Sequence, residues 1–580
     1  MIPRVADRVV DYSLIAATLV LIALPTLGAT SLWDRDEGYY CAVSQEMLAA
    51  GDWVRPTFNG QLFSEKPPLL YWTQMASFSL LGNNEFAARL PTVLAALATL
   101  VLVYELARGM FDRATALGSA LILATCVEFC LQAHAATPDM PLVLFTVGSL
   151  LCFWKGLTGE SALAWHAAAG VLTGLAMLTK GPVGIVLPGL TVALYAVWNG
   201  QFGLLARRSI WLGIGVSLLV AAPWYVAVAI QTDYAFFREF FGTHNVGRFV
   251  SPLQNHRGTV FYQAIGILVF YSPWNLVLLA VLVASLQAAF RRSAAIGSTG
   301  STATEDTLAG RNAYRFLISW TITYLVFFSL AATQLPHYVF PLYPPLAILT
   351  ARFLERWRRR LIAPALAVEW VALGAYALVG AVAAVGLLVA GGAIRLPWGK
   401  IDVIPGLAVW SLAALALPAA ASIALVMRAR GQRTATLGVL WLGALAFVAL
   451  LAAGPPQHVE RLKAPRGLAS AVQQHSAGRT VHLASVGYFQ PSLVYYFGPV
   501  LLRLPGTDAA RELLEQPAPL CVLLPEQKWQ ALAPEVKAEC RVVGRQYDLY
   551  TREDVVAVCN FPPTANQAWA DRLPSGGQRR

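Results

Sequence analysis

Between residues 33 and 89 the chain carries ionisable side chains at the edge of apolar runs. WDRDEGYY sets Asp34, Asp36 and Glu37 directly after an apolar stretch, and AAGDWVRPTFNGQLFSEKPPLLYW sets Glu65 and Lys66 side by side ahead of Pro67 and Pro68. Such groups are costly beside a membrane span and mark functional sites by default. A cation there can clamp a phosphate, and an acid can orient or deprotonate an incoming nucleophile. Each residue taken singly also reads as a solvated polar group at headgroup height. The set gains weight only from what the other loops bring to the same side.

That side follows from composition and charge order. The chain has 580 residues, 57% hydrophobic and 13% charged, where soluble domains carry about 25% charge. Apolar runs of about 20 residues, enough to cross a bilayer, begin near 12, 89, 114, 140, 165, 182, 210, 260, 314, 338, 363, 403 and 434. The expectation is a polytopic α-helical membrane protein with about thirteen spans. The formal charge of +11 sits largely in short loops, so it reads as topology and excludes nucleic-acid binding as its main meaning. With the N-terminus inside, the inner loops hold Arg4, Arg8, Arg108, Arg113, Lys155, Arg207, Arg208, Arg291, Arg292, Arg311, Arg315, the run Arg352 to Arg360, and Arg428, Arg430 and Arg433. The loops near 134–139 and 331–337 hold no Lys or Arg. The stretch 33–89 then lies outside, and so does everything after the last span.

Outside residues can meet. Asp36, Glu37, Tyr40, Glu65 and Lys66 come from the first loop, Asp139 from TPDMP, and Lys180 from LTKGP. His244, Asn245, Arg248, His256 and Arg257 come from the loop 231–258, and Gln334, His337 and Tyr338 from ATQLPHYVFP. An outward polar cavity explains them together. Glu65 with His244 or His256 offers oxygen and nitrogen ligands for a divalent metal such as zinc. No HExxH and no close His pair occurs, and a histidine hydrogen-bonded within its loop is the plainer reading.

Two segments depart from the spans. Residues 293–310 are small and polar, a flexible inner linker. From 455 onwards, short β-like runs (TVHLASV, PLCVLLP, CRVVGRQY, VVAVCNF) alternate with helical stretches, which predicts a small soluble α/β domain over 455–580 beside a membrane domain over 1–454. Cys521, Cys540 and Cys559 fall in that tail. Three cysteines allow one disulfide among them, and the sequence does not choose the pair. In the first loop, YCAVSQEMLAAGD and PPLLYWTQMASFSLLG fit helices lying in the interface.

WDRDEGYY, AAGDWVRPTFNGQLFSEKPPLLYW, NEFAARLPTVL, LTKGP and QLPHYVFPLYPPLAIL resemble the bacterial protein-mannosyltransferase-like (GT-C type) family of integral-membrane glycosyltransferases, nearest the subgroup that transfers 4-amino-4-deoxy-L-arabinose to lipid A. The resemblance implies a GT-C-like fold and transfer of a sugar from a polyprenyl phosphate. The acceptor would be lipid A or another glycolipid, on the periplasmic face of the bacterial inner membrane, by a monomer. It implies Asp36 as the key carboxylate with Asp139 supporting it, and Lys66 and Arg248 as phosphate ligands. Glu37, Tyr40, Lys180 and Tyr338 line the substrate site in this reading. The chain departs from the subgroup at Tyr39 and Gln334, which stand where it has Arg and Lys. A transporter of lipid-linked sugars would share the phosphate clamps without needing paired acids. No inverted repeat of the kind such transporters show is present.

Overall fold

The computed structural model describes residues 5–159, 161–247, 258–259, 261–291, 308–395, 402–498 and 501–562. Arg248, His256 and Arg257 lie outside the described residues. The chain divides into two compact units. One comprises Met1–Leu27, Ser64–Thr73 and Arg89–Pro455, and the other Gly28–Phe63, Gln74–Ala88 and Pro456–Arg580. The units are therefore not two linear segments, because the strand-containing unit takes in most of the first long loop.

The helical unit is built from the apolar runs. Among the described residues nine helices are long and apolar enough to cross a membrane, or ten if the bent pair Arg113–Ala124 and Val127–His134 is one span broken by 64°. The runs predicted near 182, 260 and 338 form shorter helices, Val183–Trp198, Tyr262–Phe270 with Leu278–Phe290, and Tyr343–Arg358. Apolar length alone does not separate a full span from a short or broken one. The closest helix packing follows small residues at i, i+4. A methyl group on Gly170 would collide with the carbonyl oxygen of Gly213, and one on Gly174 would lie 2.8 Å from that of Ser217. Helix Ala162–Lys180 thus lies tightly along Arg208–Gln231.

Helix Ala162–Lys180 also runs back along Asp139–Thr158. The start of one and the end of the other therefore come to the same end of the bundle. Asp139 opens its helix and Lys180 closes its own, each on the end where the helix dipole favours its charge.

In the second unit a short hairpin, β1 (Thr57–Phe58) with β2 (Gln61–Leu62), accompanies a five-stranded sheet. The strands are β3 (His482–Val486), β4 (Leu502–Leu504), β5 (Leu520–Pro525), β6 (Arg541–Asp548) and β7 (Glu553–Cys559), in the order β4-β3-β5-β7-β6. β3 runs parallel to β4 and β5, while β7 is antiparallel to β5 and β6. Every residue of β5 is buried, as a continuous apolar run at the centre of a sheet covered on both faces requires. Cys521 and Cys559 stand opposite each other on β5 and β7 and form a disulfide, leaving Cys540 free and buried.

Candidate active site

At one end of the helical unit five of the sequence candidates gather. Lys180 Nζ donates to Asp139 Oδ1 at 2.5 Å and stands 5.2 Å from the centroid of the Tyr338 ring. Lys66 and His337 lie close enough to Asp139 to act on it electrostatically. Lys66 is buried and donates to the backbone oxygen of Glu65 at 3.2 Å, with the Glu65 carboxylate at 4.0 Å. Burial first, and then the Glu65 charge, push the nearby Tyr71 hydroxyl well above its ordinary pKa, so it stays protonated.

The LTKGP turn is shaped for this. Gly181 has φ +84°, and any β-carbon there would press into the Phe240 ring. Only glycine serves such a position. Phe240 belongs to the helical segment Arg238–Gly247, in which Glu239 accepts a hydrogen bond from Ser64 Oγ. That bond joins the 231–258 loop to the segment carrying Glu65 and Lys66.

Glu128 and Gln132, at this end, are absent from the sequence-based set. Glu128 is 2% exposed, accepts from Gln132 Nε2 at 2.9 Å and lies within electrostatic reach of Asp139. A lone glutamate in the apolar run VEFCLQAH was the available signal. Gln132 Oε1 in turn accepts from Thr137 Oγ1 at 3.4 Å. Gln334, at one of the two positions that depart from the subgroup, is buried and donates to the backbone oxygens of Ser329 and Ala331. His244 lies in the segment over Gly181, but among the described residues no three His, Cys, Asp or Glu side chains are gathered to hold a metal. Glu65 and His244 therefore lack a third ligand of these types among the described residues.

The acids of WDRDEGYY belong to the other unit and divide by role. Asp34 Oδ1 accepts from the Ser492 backbone N–H at 2.8 Å and Oδ2 from the Ser492 hydroxyl at 2.6 Å, while the Asp34 N–H donates to Tyr550 Oη at 3.0 Å. Burial pushes the Asp34 carboxyl up to about 6, against the donors from Ser492 and the nearby Lys463 charge. Glu37 is 2% exposed and accepts from the Trp33 N–H at 2.8 Å. Asp36 is the exposed acid, at the start of helix Asp36–Ala50, and makes no ion pair with a described residue. Tyr40 is buried on that helix, and Tyr39 stacks on Phe63 at 5.4 Å. Gly38 is required because a β-carbon would lie 2.6 Å from both Asp34 Oδ1 and the Ser492 nitrogen.

The same approach is fixed upstream. Ser31 donates through N and Oγ to Glu460, the Leu32 N–H donates to Tyr496, and Lys463 Nζ donates to the Ser31 oxygen at 2.8 Å. The tail thus holds the backbone leading to Asp36 residue by residue. No local pattern in PSLVYYF announces this.

Residues 65–226 match the family model of dolichyl-phosphate-mannose-protein mannosyltransferases. An undecaprenyl phosphate-alpha-4-amino-4-deoxy-L-arabinose arabinosyl transferase of Erwinia tasmaniensis is 31% identical over 59% of this chain and 58% of its own length. One from Pseudomonas fluorescens is 33% identical over 58% of each. The aligned region thus spans under two thirds of these relatives. The crystal structure of ArnT from Cupriavidus metallidurans bound to undecaprenyl phosphate superposes with a TM-score of 0.77 over 96% of this chain and 98% of that one, at 24% identity. On these findings the chain has the fold of ArnT, and parts of it are similar to the mannosyltransferase family model and to the aminoarabinosyl transferases.

Proposed function

We propose that the chain is a glycosyltransferase that moves a sugar, 4-amino-4-deoxy-L-arabinose in the leading reading, from undecaprenyl phosphate to a phosphate of lipid A. The observation that carries the proposal is the group Lys66, Lys180, His337 and Asp139 at one end of a helical bundle. Those cations suit a lipid phosphate, and the tail of such a lipid can remain in the bilayer.

In the proposed reaction the bond between the anomeric carbon and the donor phosphate oxygen breaks, and its electron pair leaves with the phosphate. The acceptor oxygen forms the new bond from the opposite side. The leaving group is an anion already, so neutralising its charge matters more than protonating it. Lys66 and Lys180 do this, with Arg248 as a further phosphate ligand, and Asp139 holds Lys180 in place. Asp36 orients the acceptor, or takes its proton where the acceptor is a hydroxyl. Tyr338 and Tyr40 are assigned to substrate binding by the family resemblance.

The order of the basic loops supports an inside N-terminus and an outside Lys66. The Cys521–Cys559 disulfide supports an oxidising, periplasmic location for the tail. Purified protein given undecaprenyl phosphate-linked aminoarabinose and lipid A should yield modified lipid A by mass spectrometry. Transfer to a different glycolipid or to a protein hydroxyl would move the acceptor assignment. Donor binding without any transfer would replace the enzyme by a carrier of lipid-linked sugars.

A further inference from the structure

Helix Tyr343–Arg358 begins next to the turn carrying His337 and Tyr338 and ends at the opposite end of the bundle. There the run Arg352–Arg360 meets the turn before helix Arg433–Ala453. The acids of this end are already engaged. Asp112 takes Arg352 at 2.7 Å, Glu355 takes Arg358 at 2.6 Å as well as Arg359, and Glu369 takes Arg428 at 2.7 Å. Arg360 and Arg433 pair with no carboxylate among the described residues.

These two, with Arg358, line an open cavity of about 430 Å³ whose remaining wall is Gly431, Gln432, Thr434 and Ala435. No acid lines it. Arg433 is fixed by donating to the Trp357 backbone oxygen, with its guanidinium 5.0 Å from the Trp357 ring centroid. Arg360 is exposed, at φ +63°. The helix that starts at Arg433 has no side-chain cap, so its first-turn N–H groups add positive potential to the same wall.

A second feature lies deeper on the same helices. Leu354 and Leu440, with Trp274, Leu373 and Tyr376, line a small apolar cleft of about 50 Å³. Leu354 is one helical turn from Arg358 and Leu440 two turns from Arg433, at i, i+4 and i, i+7, so each shares the face of its arginine. The rise along the helices is roughly 6–10 Å. The neighbouring helix Leu366–Ala390 exposes Leu366, Trp370 and Val371. A cationic seat above an apolar cleft, beside an apolar exposed helix, has the layout of a phospholipid.

We propose that this end of the bundle is a binding site for an anionic phospholipid, with its phosphate on Arg360, Arg433 and the first turn after Gln432, and an acyl chain entering the cleft at Leu354 and Leu440. The site is independent of the transferase reading and shares no residue with the Lys66 group.

The test uses the full chain in uncharged detergent, titrated with dioleoyl phosphatidylglycerol and read by native mass spectrometry. Arg360→Asn keeps a residue type that accepts the left-handed conformation, and it should weaken binding about tenfold or more, as loss of one charge-assisted contact does. Arg433→Gln should do the same. Arg430→Gln, which changes an adjacent arginine outside the cavity, should leave binding unaltered, and phosphatidylcholine should not compete. Equal weakening by Arg430→Gln would reduce the site to diffuse charge and overturn the proposal. Competition by inorganic phosphate as strong as that by the lipid would assign the seat to a free anion instead. Wild-type affinity in Arg360→Asn and Arg433→Gln would overturn it outright.

Discussion

Asp34 in the strand-containing unit and Asp139 in the helical unit both stand where an apolar run meets a loop, and their partners differ in kind. Both oxygens of Asp34 are held by one residue, through a backbone N–H and a hydroxyl of Ser492. Asp548 in the same unit accepts from Tyr488, Gln490 and Thr551. Asp139 is held by the ammonium of Lys180, with Lys66 and His337 near it. Backbone and hydroxyl donors are short and fixed, so they commit a carboxylate to structure. Lysines are long and can exchange a carboxylate for a phosphate without unfolding anything. The comparison separates acids that shape the chain from acids left available for chemistry, and Asp36, exposed beside Asp34, falls among the latter.

The largest expected effect is therefore at Asp36. Asp36→Asn keeps size and removes charge, and transfer should fall about 10²–10⁴-fold, the usual contribution of a positioned acid or base. Expression and donor-lipid binding should stay near wild type. Transfer at a comparable rate in the purified variant would remove Asp36 from the chemistry, and failure to fold would move it to the structural group beside Asp34.

The Asp139–Lys180 pair comes next. Removing one member of a buried pair strands the other charge, at about 3–5 kcal/mol. Asp139→Ala and Lys180→Met should each lower thermal stability more than the two changes together. Simple additivity in that cycle would show that the pair does not couple. Lys66→Ala should act differently, weakening binding of bare undecaprenyl phosphate about tenfold or more. Unchanged binding would take Lys66 out of the phosphate site.

Much of this was legible from residue order. Apolar periodicity and basic loops put Asp139, Lys180, Lys66, His337 and Tyr338 on one side, and the fold gathers them at one end of the bundle. The alternating runs of the tail became β3, β5, β6 and β7. What stayed hidden depends on contacts remote in sequence. Ser492 meets Asp34 across 458 positions, and a serine in an apolar stretch carries no mark of that. Glu128 was hidden because it interrupts an apolar run without a neighbouring charge. Spans and shorter helices were indistinguishable because run length does not reveal a bend such as the 64° break after Ala124.

The smallest expected effect tests the other side of the comparison, whether Asp34 is a structural acid held at a cost. Burial raises its folded-state pKa from 3.8 to about 6, so the folded state binds the proton more tightly than the unfolded chain does. Between those values stability should fall as pH rises, and above about 6 this contribution should be flat. Lys463 lowers the shift, Asp548 adds to it, and the Tyr550 hydroxyl, raised by burial, stays protonated across the window. The readout is amide hydrogen exchange of Ser492 in the full chain, because its N–H is donated to Asp34. Asp34→Asn preserves an acceptor for that N–H, and Ser492 Oγ can accept from the new amide, so the fold should survive while the pH slope between about 4 and 6 disappears. An identical slope in wild type and Asp34→Asn would show that Asp34 is ionised in the folded protein throughout, and that its contacts with Ser492 lack the cost assigned to them.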